Sequence, residues 1–525
     1  MTAVTPACAR ASRSRIEPTV AQALRNPRLL TREVLAGLVV ALALIPEAIA
    51  FSIIAGVDPR VGLFSSFVMA VTIAFLGGRP AMISAATGAV ALVIAPVARE
   101  YGMDYFIATV MLAGVLQIVL AVLGVARLMR FIPRSVMVGF VNALAILIFI
   151  AQMPQLIDVP WLVYPLVAAG LAIMLLMPRL TKVVPAPLVT IVLLTAAVLV
   201  FGWNVPNVGD QGELPQSLPE LFLPQVPLTL ETLGIIGPYA LAMAAVGLLE
   251  SLMTAKLVDD ITDTHSPKTR EAWGQGVANV LSGAFGGMGG CAMIGQTMIN
   301  VKASGARTRI STFLAGVFLL VLVLALGDVV AVIPMAALVA VMVLVCVGTF
   351  DWHSIRPATL RRMPKSETAV MLITVVATVW THNLAIGVVL GVLAAMVMFA
   401  RRVAHVVTVT RIEPAADTAA DTAADDAGDG AGDGGDASPG VVRYVVEGEL
   451  FFASSNDLTT QFSYSADPGH VVIDLSRSHV WDASTVAALD AVVTKYERLG
   501  TTVELHGLDG VAAALHGRLT GTLGG

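Results

Sequence analysis

The sharpest chemical feature of the sequence is a carboxyl group inside an apolar run. Glu250 lies within Ile235–Ala255, which contains no Lys or Arg, and an ionisable side chain in such a run is expected to be functional. Thr254 follows four residues on, hence on the same helical face. Two chemistries fit this pair: the carboxyl carries a proton, or carboxylate and hydroxyl together coordinate Na⁺. A neutral, hydrogen-bonded structural Glu is the alternative. Glu47 directly follows Pro46, where a proline-kinked helix leaves free carbonyls for a neutral carboxyl to bond, so both a proton-carrying and a structural role stay open. His382 and Asn383 fall at a segment boundary and read as interfacial.

Two glycine-interrupted stretches could bind an anion. Gly77-Gly78-Arg79-Pro80 leads into Ile83–Ala89 in the first half, and Gly286-Gly287-Met288-Gly289-Gly290 leads into Cys291–Thr297 in the second. Half-helices that start inside a membrane point unpaired N–H groups and a partial positive charge at whatever lies between them. Such a site holds an anion without a buried Lys or Arg. Taken singly, the glycines also fit close helix packing, since Gly286 and Gly290 have GxxxG spacing; the symmetric placement of the two stretches favours the site. No GxxxxGK[ST] phosphate loop is present, so nothing supports ATP-driven pumping. Cys8, Cys291 and Cys346 lie far apart, which suggests neither a disulfide framework nor a zinc site.

The elements that position these residues follow from composition. With 57% hydrophobic and 13% charged residues and a mean hydropathy of +0.83, the chain is too apolar for a soluble globular protein. Apolar runs long enough to cross a hydrocarbon core of about 30 Å recur along it, and about fourteen can be placed. They cover roughly 34–54, 61–77, 82–98, 105–126, 132–152, 161–178, 184–202, 234–257, 273–287, 290–303, 310–328, 330–350, 367–382 and 384–403, with the third, ninth and tenth weakest in hydropathy. Loops after even-numbered segments carry Arg79, Arg127, Arg130, Arg179, Lys182, Lys256, Lys268, Arg270, Lys302, Arg307, Arg309, Arg356, Arg361, Arg362 and Lys365, whereas the opposite loops carry only Arg60 and Arg99. By the positive-inside rule, both termini are expected in the cytoplasm of a multi-pass inner-membrane protein. Residues 1–33, with Arg10, Arg13, Arg15, Arg25 and Arg28, read as a basic cytoplasmic tail and not a signal peptide.

Beyond the transmembrane domain at 34–411, the character changes twice. Residues 412–440 hold eight acids and no Lys or Arg, and without them the net charge would move from −5 to +3. This Ala/Asp/Gly/Thr tract cannot bury enough apolar surface to offset chain entropy, so it is expected to be a disordered acidic linker. From Val441 to the C-terminus, β-branched runs at Val441–Glu447, Val471–Leu475 and Thr502–Leu505 surround helical spacing over Ser484–Arg498. That alternation predicts a compact cytoplasmic α/β domain over 441–525.

Several of these stretches carry a family resemblance. Ala36-Gly37-Leu38, ALIPEAIAF at 43–51 and AGVDPRVGLF at 55–64 resemble the first-helix signature of the SulP anion transporters, and FIPRSVMVGF at 131–140 is similar to their fifth segment. Val472-Ile473-Asp474-Leu475-Ser476 with Asp482-Ala483-Ser484-Thr485 resembles the core of a STAS domain. The resemblance implies a 7+7 inverted repeat of about fourteen helices with core and gate domains, a homodimer, and an anion site between the third and tenth half-helices. By motif it assigns Thr87, Gly88, Gly295 and Gln296 to the anion, with Ala86 replacing the family's Pro and no Arg beside Gln296. It assigns Glu250 and Thr254 to a coupled Na⁺, with Glu for Asp. Ser484 matches a serine phosphorylated in soluble STAS proteins, although Ala483 and Thr485 depart from that motif.

The resulting expectation is secondary active transport of a small inorganic anion, sulfate or bicarbonate, by H⁺ or Na⁺ symport. No enzymatic activity, cofactor or nucleic-acid partner is expected. The lipid bilayer is the environment, and the STAS domain is a place for a regulatory protein or nucleotide. A nucleobase-type carrier, which would want paired carboxylates and lack a STAS tail, and a non-transporting sensor signalling through STAS are the alternatives.

Overall fold

The computed structural model describes residues 18–127, 132–180, 186–227, 229–404, 407–412, 441–451, 454, 458–508 and 510–520. It separates into two units, Met1–Val392 and Leu393–Gly525, each treated by itself.

The first unit is helical. In chain order come α1 (Val20–Arg25), α2 (Pro27–Ala55), α3 (Pro59–Leu76), α4 (Gly88–Val122), α5 (Arg134–Gln152), α6 (Val163–Leu180), α7 (Ala186–Phe201), α8 (Leu230–Thr262) and α9 (Lys268–Ala284). There follow α10 (Ile294–Met298), which continues as a wider π turn over Ile299–Ala303, then α11 (Arg309–Ala325), α12 (Gly327–Ala331), α13 (Met335–Thr349), α14 (Pro357–Arg362), α15 (Lys365–Thr381) and α16 (Leu384–Ala404), whose residues from Leu393 on belong to the second unit. Among the described residues six helices are long and apolar enough to cross a membrane, α2, α3, α4, α5, α8 and α16, and four more are shorter apolar helices. Nearly all of this unit's interior forms one apolar cluster, from Val40 in α2 to Leu384 in α16.

Two of the weaker expectations change in a way that matters. The segments expected at 82–98 and 105–126 follow one another within α4 as two helical stretches separated at Gly102, whose non-helical backbone (φ 82°) suits glycine alone. Residues expected to open the third and tenth segments are extended instead. Ser84–Ala85 (β1) and Cys291–Ala292 (β2) pair antiparallel, Ser84 with Ala292 and Ala85 with Cys291. Hydropathy does not separate a short apolar strand from the start of a buried helix. The extended backbone is satisfied from all sides: Ile83 N–H donates to Thr297 Oγ1 (3.0 Å), Ala86 N–H to Ser66 Oγ (3.2 Å) and Met293 N–H to the Ile83 carbonyl (2.9 Å).

Helix α9 explains its own weak hydropathy. Glu271, Gln275, Asn279 and Ser282 recur at helical spacing and are all buried. Each clamps the glycine stretches. The Glu271 carboxylate accepts from the backbone N–H groups of Gly78 (2.7 Å) and Arg79 (2.9 Å). Gln275 donates to Ser84 Oγ (2.6 Å), Asn279 accepts from Gly290 N–H (2.7 Å), and Ser282 accepts from Gly289 N–H (3.1 Å). Gly286 and Gly290 lie beyond this helix and make no GxxxG contact along it. Gly286 has a φ of 70°, and a Cβ on Gly290 would run into the Ala85 carbonyl. Arg79, expected on a loop surface, is buried and paired with Asp259 at 3.1 Å, which Lys268 also reaches at 2.6 Å.

The second unit holds a four-stranded sheet in the order β3 (Thr408–Ile412), β4 (Val441–Leu450), β5 (His470–Val480), β6 (Thr502–His506), with α17 (Ala483–Arg498) and α18 (Gly510–Leu519). Strand β3 runs antiparallel to β4, and β4, β5 and β6 are parallel. The sheet thus includes a strand that precedes the start expected at 441. Thr408–Ile412 already belongs to the sheet, and the acidic tract connects two neighbouring strands of one domain. Apart from Ile412, that tract lies outside the described residues, as does most of the basic tail. Val442, Tyr444, Val446, Ile473, Leu475, Val486, Leu489 and Val492 make the core. Asp467 ties three elements together, accepting from Arg411 (3.0 Å), Tyr444 (2.7 Å) and Tyr496 (2.5 Å). Hydrogen bonds from Ser476 hold the Asp474 carboxyl down to about 2. Asp482 caps α17 by accepting from Thr485 N–H (3.0 Å), leaving Ser484 exposed in its first turn.

Candidate functional site

The β1–β2 pair sets the geometry. Because the strands are antiparallel and each is followed within three residues by a helix, α4 and α10 start beside the pair, one from each of its ends. Thr87 is the N-cap residue of α4, with extended backbone angles (φ −130°, ψ 150°) and a side chain that does not cap its own helix. Its hydroxyl lies 3.1 Å from Cys291 Sγ on the other strand. Cys291 Sγ donates in turn to Glu250 Oε2 at 2.9 Å. The carboxyl group on α8 and the cap of α4 are thus joined by one thiol, and all three side chains are buried. Sequence reasoning singled out Glu250 and Thr87 separately but gave Cys291 no role. The one available signal was its place as the first residue after the Gly-rich stretch.

The Thr254 hydroxyl bonds backbone carbonyls and not the Glu250 carboxyl. It donates to the Glu250 backbone carbonyl (2.8 Å) and lies 3.3 Å from the Ala292 carbonyl, so it staples α8 to β2 with its lone pairs free. Ser251, which the sequence reading passed over, accepts from Ala292 N–H (3.1 Å) on the same face.

The α10 side is built differently. Gln296 donates to Glu47 Oε1 at 2.8 Å, bringing the α2 carboxyl into the site, while its own Oε1 is buried without a partner. Gly295 is exposed, and a Cβ there would meet nothing within 4 Å. Gly88, on the α4 side, is wedged between Phe51 and Ile148, each of which a Cβ would approach to 2.8 Å. His382 takes a left-handed conformation at the end of α15 (φ 50°) and Asn383 caps α16, accepting from Ala385 N–H (3.0 Å). Both terminate helices and take no part in this cluster.

The arrangement places helix N-termini, a hydroxyl and amide groups beside a buried carboxyl that has no basic partner. The sulfate permease family matches residues 30–164 and 159–374, and the STAS domain matches 436–518. The sulfate-transporter candidate YbaR of Bacillus subtilis (strain 168) is 49% identical over 486 residues, covering 93% of this chain and 96% of its own. The bicarbonate transporter BicA of Picosynechococcus sp. is 26% identical over 499 residues, covering 89% and 86%. Among solved structures, the transmembrane domain of a cyanobacterial BicA superposes with a TM-score of 0.61 at 26% identity, over 70% of this chain and 98% of that one. Murine Slc26a9, an anion transporter solved in the inward-facing state, shares the fold with a TM-score of 0.76 at 17% identity, over 93% and 87%. The chain belongs to the sulfate permease family, with a STAS domain at its C-terminal end.

Proposed function

We propose that this protein is a secondary transporter of a small inorganic anion, sulfate or bicarbonate, driven by co-transport of H⁺ or Na⁺. The anion sits between the N-termini of α4 and α10, contacted by Thr87, Gly88, Gly295 and Gln296. The coupled cation sits at Glu250, with the free lone pairs of Thr254 available to Na⁺. The observation that carries this reading is the antiparallel β1–β2 pair, which holds both helix starts and the buried Glu250 in one hydrogen-bonded cluster.

The physics favours coupling. An anion entering a cell against an inside-negative potential meets about 2.3 kcal/mol per charge per 100 mV, so accumulation needs a cation carried with it. An ionised carboxylate alone in a low-dielectric interior is costly and repels the anion. Neutralising Glu250 removes both penalties, so each ligand favours the other's binding. The transporter is read as a homodimer in the plasma membrane, with about fourteen spans and cytoplasmic termini, following the positive-inside pattern. Its STAS domain is read as the regulatory part, with exposed Ser484 as a point of contact or modification. Uptake of a panel of anions into liposomes, with and without Na⁺ and at two pH values, tests the reading. Cation-stimulated uptake of sulfate or bicarbonate is expected, and a protein that moves neither anion contradicts it.

A further inference from the structure

The thiol between the two sites has only one proton, and its direction carries information. With Glu250 ionised, its carboxylate can only accept, so the 2.9 Å contact is Cys291 S–H donating to Oε2 and the 3.1 Å contact with Thr87 is the Thr87 hydroxyl donating to sulfur. In this arrangement the Thr87 hydroxyl spends its proton on sulfur and has only lone pairs left for a ligand at the start of α4. An anion there meets an acceptor and gains nothing from the hydroxyl. Among the described residues the Thr87 hydroxyl has no other hydrogen-bond partner, and Cys291 is fully buried.

We propose that Cys291 is a positioning residue that couples cation to anion by reversing the direction of this hydrogen-bond chain. With Glu250 ionised, the order is Thr87 O–H to sulfur and Cys291 S–H to carboxylate. When the coupled cation occupies the carboxylate, Oε2 no longer needs the thiol proton. The thiol rotates to donate to Thr87 Oγ1, and the Thr87 hydroxyl is released to donate to the anion. No bond to hydrogen is broken; two X–H groups rotate about their own bonds. The switch serves either cation, because all it requires is that the carboxylate's charge be neutralised. It rests on the anion and cation sites of the proposed function and adds the residue that links them.

The test is the affinity of the purified full-length protein for radiolabelled sulfate, and separately bicarbonate. It is measured with and without saturating Na⁺ at fixed pH, then at two pH values without Na⁺. The ratio of affinities with and without the cation is the coupling factor, of order 5–150-fold for a coupled pair. Cys291→Ser keeps a rotatable donor-acceptor and should keep the factor within about threefold of the parent, whereas Cys291→Ala should bring it close to one while sulfate still binds. Thr87→Val, which removes the far end of the chain and fills the same space, should also bring the factor close to one, and it serves if Cys291→Ala does not fold. A parental factor in Cys291→Ala or Thr87→Val overturns the relay, as does loss of the factor in Cys291→Ser at normal thermal stability. Glu250→Gln separates the two claims. If it loses cation dependence while Cys291→Ala keeps it, the relay alone is wrong; if it keeps that dependence, the cation site is wrong as well.

Discussion

The start of α4 and the start of α10 are the same device built to two standards. Both follow a two-residue strand of one antiparallel pair, and both present a glycine and a polar side chain at the helix start. On the α4 side a helix that runs unbroken as far as Gly102 begins at a glycine wedged between Phe51 and Ile148, and its N-cap hydroxyl is tied to the Cys291–Glu250 chain. On the α10 side five helical residues pass at once into a π turn, Gly295 stands in open space, and Gln296 keeps one amide oxygen unpartnered. Rigid packing beside a buried carboxyl fixes the α4 start in place, while the open glycine leaves room for a ligand at the α10 start. Two-fold likeness in sequence therefore need not mean equal roles.

This contrast can be broken by substitutions ordered by expected effect. Gly295→Trp should reduce anion uptake to background at normal protein level, because the space a side chain enters there is the space the anion needs; normal uptake would remove α10 from the site. Gly88→Val should act on folding, costing about 1–3 kcal/mol for overpacking against Phe51 and Ile148, read as a lower unfolding temperature in detergent. Gly295→Ala should stay within about 0.5 kcal/mol of the parent in the same assay. Equal thermal shifts for these two would erase the asymmetry. Gln296→Ala should weaken anion binding roughly tenfold, from the loss of about 1–1.5 kcal/mol of hydrogen bonding, with the coupling factor unchanged because Gln296 is not on the Cys291 chain. Smallest of all, deleting ten residues from 413–440 should leave uptake and the coupling factor as they were. Chain closure between the adjacent strands β3 and β4 depends only weakly on loop length.

Much of this was legible before any coordinates. Apolar runs located nearly every helix of the first unit to within a few residues, since hydropathy and length together constrain a helix in a bilayer. The paired glycine stretches and the lone Glu250 stood out because each breaks the local rule of its surroundings. What escaped were contacts that exist only in three dimensions. Glu271, Gln275, Asn279 and Ser282 read as a weak membrane segment, yet they are the polar spine that shapes both glycine stretches. Cys291 read as one of three scattered cysteines because its partners are 41 and 204 residues away. Strand β3 was absorbed into the approach to the acidic tract, since five residues with a partner strand about 30 residues later carry no local signal.

The central claim is that Glu250 carries the coupled cation, and accumulation by Glu250→Gln liposomes tests it most directly. Gln removes the charge but keeps an oxygen for the Cys291 thiol, so the cluster's packing is preserved while its cation is lost. A doubly charged sulfate faces roughly 4.6 kcal/mol against 100 mV, so without the cation net accumulation should disappear, while sulfate exchange at zero potential persists. Thr254→Ala measured alongside should impair uptake only if the ion is Na⁺, because a proton needs no further oxygen. Accumulation by Glu250→Gln with the parent's dependence on pH and Na⁺ would contradict the account.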